Sequence, residues 1–117
     1  MPSLCVEAPD YHGMDRQRLQ GYLRDHLADP TLSVASASAA MFMSVRYVQK
    51  LFAQVGSTPR TWLMDQRMSE AKRLLSVTDL PIAEVAVRVG YREVSQFSRG
   101  FKGRTGLSPS AYRLSQT

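Results

Sequence analysis

The side chains of this 117-residue chain that could do chemistry are hydrogen-bond donors, and they recur on two short segments. The first segment offers Ser44, Arg46, Tyr47, Gln49 and Lys50. The second offers Ser95, Gln96, Arg99 and Lys102, with Val94 among them. Read as helices, both segments carry an apolar stripe opposite the donors: Val48, Leu51, Phe52 and Val55 in the first, Phe97 and Phe101 in the second. The chemistry suited to such faces is recognition rather than bond-making. Arg and Lys match the paired acceptors of guanine and Gln matches adenine, each pairing worth ~1–3 kcal/mol of discrimination in the major groove of DNA. Val94 cannot donate and suits a thymine methyl or a spacing role. Glu93 beside it suits a cytosine amino group or the start of a helix.

The residue types of catalysis are present but not arranged for it. His12 and His26 have no Cys or His partner at zinc spacing. Asp25 adjoins His26, but no placed nucleophile completes a triad, so His26 is expected on a helix surface. Cys5 stands alone, which excludes an internal disulfide and a clustered-cysteine repair chemistry and fits a reducing compartment. There is no glycine-rich phosphate loop, so no catalytic residue, metal or cofactor is expected. No apolar run approaches the ~18 residues of a membrane span, and the N-terminus lacks the basic and apolar regions of a signal peptide.

Charge points toward a polyanion. The chain carries +5 overall, and residues 14–117 hold all 15 basic side chains and 8 acidic ones, a net of +7. Six basic residues and a single acid, Glu93, fall between Arg88 and Arg113. Such a surface attracts nucleic acid and releases counterions on binding.

The elements that must position the donors repeat themselves. L-S-V-A-S-A-S-A-A-M-F-M-S from Leu32 is answered by L-P-I-A-E-V-A-V-R-V-G-Y-R from Leu80, and G-S-T-P-R-T-W from Gly56 by G-L-S-P-S-A-Y from Gly106. Residues 1–13, with Pro2, Pro9 and Gly13, read as a tail or linker. A first helix is expected over 15–28, with Leu19, Tyr22, Leu23 and Leu27 inward, ended by Asp29-Pro30. Ser33 caps a second helix over 34–41, and Ser44 caps a third running to about Val55, closed by Gly56. Thr58-Pro59 opens a long fourth helix to about Ser76, with Leu63, Arg67, Ala71, Leu74 and Leu75 on one side. Pro81 opens a fifth, burying Ile82, Val85, Ala86 and Val89. Gly90 makes the next turn, a sixth helix runs over 93–104 to Gly106, and Ser108-Pro109 starts a seventh bearing Tyr112. The expected fold is all-α: two helix-turn-helix subdomains, 14–57 and 77–117, joined by a linker helix over 58–76.

These residues resemble the DNA-binding domain of the AraC/XylS family of bacterial transcription regulators. The likeness runs through S-V-R-Y-V-Q-K-L-F (44–52), G-S-T-P-R-T-W-L (56–63), R-M-S-E-A-K-R-L-L (67–75), V-G-Y (89–91), F-S-R-G-F-K (97–102) and G-L-S-P-S-A-Y-R (106–113). It implies that one chain places two reader helices in successive major-groove segments on one face of double-stranded DNA. By position, base reading falls on Arg46, Gln49 and Lys50 in the first unit and on Val94, Ser95, Gln96 and Arg99 in the second. Phosphate contact falls on Ser44, Thr58, Ser98, Lys102, Arg104, Ser108 and Arg113. Arg67 matches an arginine with a structural, ion-paired role. The resemblance further implies a transcription activator at the nucleoid in the bacterial cytoplasm, in contact with RNA polymerase, with effector sensing or dimerisation supplied by a domain upstream of the linker-like tail. The alternative is a basic helical module that docks on an acidic protein and binds DNA without sequence preference.

The two copies differ in ways that carry energy. Phe42 stands where the second copy has Gly90, so the first turn either bears ~1–2 kcal/mol of left-handed strain or is remodelled. Ala37 and Ser38 replace Val85 and Ala86, and Ser36 adds a further polar group, so the second helix is expected to be the weakest element. Met and Phe at 41–43 are expected to fill part of the missing volume.

Overall fold

In the computed structural model, which describes residues 10–117, five of the seven helices begin at a side chain that accepts a hydrogen bond from their own first turn. Asp10 caps α1 (Tyr11–Asp25), Ser33 caps α2 (Val34–Ala40) and Ser44 caps α3 (Val45–Ala53). Thr58 caps α4 (Pro59–Val77) and Ser108 caps α7 (Pro109–Ser115), each with proline just inside the helix. α5 (Ile82–Arg88) and α6 (Val94–Thr105) start without a side-chain cap. There is no strand among the described residues.

The first helix starts four residues earlier than its apolar stripe suggests. The Asp10 carboxylate accepts from the Gly13 amide at 2.8 Å, and Gly13 is buried. A Cβ at Gly13 would run into that carboxylate, so a residue that reads as a helix breaker is what lets the cap close. Cys5, Pro2 and Pro9 lie outside the described residues.

Two apolar cores form, and α4 belongs to both. Leu19, Leu23, Ala37, Val48, Leu51, Phe52 and Leu63 bury together under α1, α2, α3 and the start of α4. Met68, Ala71, Leu74 and Leu75, further along α4, join Val85, Ala86, Val89, Phe97 and Phe101, with Tyr112 of α7 packed edge-on against Phe101. α4 is therefore a shared wall, each end covered by a different set of helices, rather than a bare connector. Val55 is outside either core: α3 ends at Ala53, the chain turns toward Gly56, and Val55 is left half exposed.

The turns of the two helix-turn-helix units have the same wiring. In the first, the Phe42 amide donates to the Ala39 carbonyl and the Met43 amide to Ser38, at 3.1 and 2.9 Å. In the second, Gly90 donates to Val87 and Tyr91 to Ala86, at 3.1 and 2.9 Å. This pair of bonds demands a left-handed residue after the helix. Gly90 meets it with φ +91°, and Phe42 meets it with φ +57°. Of the two possibilities for Phe42, the chain takes strain over remodelling. Its ring fills no volume: it is 97% exposed, and only Met41 and Met43 rest on the first core.

α2 is better capped than its composition suggests. Ser33 accepts from the Ser36 amide at 3.0 Å, and Ser36 accepts from the Ser33 amide at 2.9 Å. Ser36, which reads as a surplus polar group, closes a reciprocal capping box. The buried Ser38 hydroxyl donates to the Val34 carbonyl at 2.7 Å, so no polar group of the inner face is orphaned.

Candidate nucleic-acid interface

The outer faces of α3 and α6 carry the candidate readers. The three-to-four-residue spacing that buries Val48, Leu51 and Phe52 turns Arg46, Gln49 and Lys50 outward, and all three are exposed. On α6, burial of Phe97 and Phe101 leaves Ser95, Gln96 and Arg99 exposed, Val94 at 43% exposure and Ser98 half-buried. Tyr47, which reads as part of the outer stripe, is committed inward. Its hydroxyl donates to the Asp15 carboxylate on α1, and its ring meets His12 edge-on at 5.8 Å. The bond to Asp15, then burial, pushes the Tyr47 phenol up. The Glu93 side chain precedes α6 without capping its first turn, although the Glu93 carbonyl accepts from the Phe97 amide at 3.2 Å.

The cations on these faces are left without carboxylate partners. Among the described residues, Arg18 pairs with Asp15, Arg73 with Glu70, Arg88 with Glu84 and Arg104 with Asp65. None of Arg46, Lys50, Arg99 or Lys102 has such a pair. Their charge is available to an incoming anion or base edge, with no intramolecular pair to break first.

The residues expected at phosphates divide. Ser44, Thr58 and Ser108 spend their hydroxyls as caps, at 3.0, 3.1 and 3.1 Å from the amides they accept from. The remaining first-turn amides of those helices are what an anion would meet. Lys102 is exposed, and Arg104 reaches back across to Asp65 on α4. Arg113 turns inward: its Nε donates to the Leu75 carbonyl at 3.2 Å, and its buried Nη2 has no partner. Its place is a brace between α7 and the end of α4. His26 lies on the surface, stacked on Tyr22 at 4.0 Å.

Arg67 joins the two halves without an ion pair. Its Nε donates to the Leu27 carbonyl and its Nη2 to the Asp29 carbonyl, both at 3.0 Å, which ties α4 to the connection after α1. No carboxylate lies within ion-pair distance of it among the described residues. Burial lowers the affinity of the guanidinium for its proton, and neighbouring Tyr91 and Asp29 restore part of it. The turn of the second unit sits directly on this node. A Cβ at Gly90 would overlap the Leu27 oxygen and come within 2.8 Å of Arg67 Nε and Nη2. Two things select glycine here, the positive φ and the close approach.

Beside the node a cleft of about 350 Å³ opens between the two cores. Gln96 of α6 and Ser33 at the head of α2 line it, together with Arg60, Arg67 and Arg92. Arg60 and Arg92 are exposed, and neither appears among the residues expected from the sequence. The sequence did hold a signal for Arg60: a cation in the first turn of a helix, where the dipole offers it no stabilisation. No group of three or more His, Cys, Asp or Glu side chains capable of holding a metal occurs among the described residues, and no helix there is long and apolar enough to cross a membrane.

Comparison with known proteins gives the same answer from three directions. Residues 37–115 match the helix-turn-helix domain family. The chain is 40% identical over 111 residues to the transcriptional activator NphR of Rhodococcus sp., covering 94% of this chain and 33% of that protein. It is 44% identical over 93 residues to the arabinose operon regulatory protein of Escherichia coli strain K12, covering 79% and 32%. The chain thus spans about a third of the length of the curated relatives it matches. Among solved structures, the C-terminal domain of the response regulator AraT from Geobacillus stearothermophilus superposes with a TM-score of 0.83 at 33% identity, covering 86% of this chain and 84% of that one. The DNA-binding domain of the global transcriptional factor AdpA, solved in complex with a target DNA, superposes with a TM-score of 0.78 at 31% identity, covering 86% and 91%. Two helix-turn-helix units on a shared α4, exposed unpaired donors on the third helix and the sixth, and these likenesses together place the chain in the AraC/XylS family of helix-turn-helix DNA-binding transcription regulators.

Proposed function

We propose that this domain reads a bipartite DNA site with both of its reader helices at once. α3 enters one major-groove segment through Arg46, Gln49 and Lys50, and α6 enters the next through Val94, Ser95, Gln96 and Arg99. One observation supports this most strongly: Arg46, Lys50, Arg99 and Lys102, exposed on the outward faces of these two helices, have no carboxylate partner among the described residues. The first-turn amides behind Ser44, Thr58 and Ser108, with Ser98 and Lys102, hold the phosphates and set the register, and Arg104 joins them by exchanging its Asp65 carboxylate for a phosphate. The domain performs no chemistry. It acts in the cytoplasm, at the nucleoid, as an activator that brings RNA polymerase to a promoter, and effector sensing or dimerisation belongs to a further domain upstream. The activator role is supported by the name of NphR, and DNA binding by the AdpA complex.

The test compares Arg99→Ala with Arg104→Ala in competition binding against a panel of single-base variants of a selected site. Arg99→Ala is expected to cost ~1–3 kcal/mol and to relax preference at one base pair, while Arg104→Ala weakens every sequence alike. Equal, sequence-blind losses from both would remove Arg99 from the reading surface. Equal binding to selected and scrambled duplexes by the unmodified chain would favour a basic module that docks on an acidic protein.

A further inference from the structure

The cleft between the two cores has a charge pattern unlike the rest of the molecule. Three arginines line it, Arg60, Arg67 and Arg92, and no carboxylate does. The other inter-core groove, of about 550 Å³, mixes Arg24, Arg73 and Arg88 with Asp25 and Glu70, and Arg73 and Glu70 pair there at 2.7 Å. Two carboxylates offset part of the charge in that groove, and none offsets the charge in the cleft. Arg67 spends its donors on the Leu27 and Asp29 carbonyls, but Arg60 and Arg92 are exposed and hold no ion pair among the described residues. Local stability does not explain them. Arg60 lies in the first turn of α4 and Arg92 two residues ahead of α6, and both meet the unfavourable end of a helix dipole.

The position of the cleft says what would neutralise it. Its walls include Gln96 from the second reader helix and Ser33 at the head of the first unit's supporting helix. In a docked helix-turn-helix the reader faces base edges and the supporting helix crosses the sugar–phosphate backbone. With both readers docked in that way, a cleft bounded by one residue of each unit faces the DNA between the two half-sites. Two readers in successive major-groove segments straddle one stretch of intervening backbone, where two strands carry a charge every ~1.7 Å along the axis.

We propose that Arg60 and Arg92 form a third contact zone, a clamp on the phosphates of the spacer between the two half-sites. It rests on the two-reader mode of binding and adds to it a grip that is blind to base sequence. Each phosphate neutralised contributes about 0.9 to the slope of log affinity against log salt, so the pair contributes about 1.8. Over a fourfold rise in salt, from about 50 to 200 mM, that is roughly a 12-fold larger loss of affinity for the unmodified chain than for a variant lacking both.

The test uses the full chain and its Arg60→Ala/Arg92→Ala variant, with fluorescence anisotropy on a duplex obtained by selection. A second set of duplexes carries uncharged methylphosphonate linkages either in the spacer or in the flanks. The expected result is a slope shallower by about 2 for the variant, with unchanged base preference in both half-sites and circular dichroism that confirms its fold. Spacer neutralisation weakens the unmodified chain and leaves the variant unaffected. The clamp is overturned if the slopes coincide, or if spacer neutralisation weakens both proteins alike. Failure of the unmodified chain to prefer the selected duplex over a scrambled one would instead overturn the two-reader mode, and the clamp with it.

Discussion

Gly90→Ala adds one methyl group and should unseat the junction between the two halves. An alanine there must hold φ near +91°, at ~1–2 kcal/mol. Its Cβ overlaps the Leu27 carbonyl oxygen and crowds Arg67 Nε and Nη2 at 2.8 Å. Relief requires moving the Leu27 carbonyl, which breaks its 3.0 Å bond from Arg67 and leaves a buried guanidinium nitrogen unpaired, at ~1–3 kcal/mol. The total is roughly 2–5 kcal/mol, or about 8–20 °C in melting temperature at roughly 4 °C per kcal/mol. Thermal unfolding followed by circular dichroism reads this directly. Gly103→Ala is the control: the same methyl group enters an exposed helical site on α6 with nothing within 4 Å, and should stabilise by ~0.5–1 kcal/mol. In an Arg67→Met background the Leu27 carbonyl is free to move, so Gly90→Ala should cost only its backbone strain, a coupling of about 1–3 kcal/mol in the double-mutant cycle. A Gly90→Ala protein within ~0.5 kcal/mol of the parent, or additive behaviour with Arg67→Met, would refute the node.

Phe42→Gly should act in the opposite direction, because it removes left-handed strain and, at 97% exposure, no packing; a rise of about 4 °C is expected, with Phe42→Ala nearly neutral. A fall in melting temperature for Phe42→Gly would mean that the ring contributes contacts after all. Amide exchange should find α2 opening at least tenfold more often than α5: Ala37 in place of Val85 forfeits ~1.6 kcal/mol of burial and Phe42 adds strain, while the Ser33–Ser36 box returns only ~1 kcal/mol. Equal protection of the two helices would contradict that balance.

The architecture was legible because its punctuation is chemical. Ser44, Thr58-Pro59 and Ser108-Pro109 announce helix starts, and Gly56, Gly90 and Gly106 take the positive φ that ends them. What escaped depends on partners distant in sequence. Tyr47 sits at the edge of an apolar stripe, and only the arrival of α1 with Asp15 turns it inward. Arg67 has no carboxylate because two carbonyls of the connection after α1 already satisfy it. Arg113 braces α7 against Leu75, a contact 38 residues away. The start of α1 was hidden by Gly13, whose missing side chain leaves room for the Asp10 cap. On the candidate reader faces, outward residues of an amphipathic helix follow from its period, so the exposure of Arg46, Gln49, Gln96 and Arg99 could be read from sequence. Arg60 and Arg92 could not, since they come together only when α4 and α6 are folded around one cleft.

Selection from a random duplex library tests the two-reader mode most directly. A bipartite site is predicted, with half-site centres about 10 bp apart and affinity lost when the spacer is lengthened by about half a helical turn. Recovery of no motif, or of one half-site that binds as tightly alone as in tandem, would contradict it.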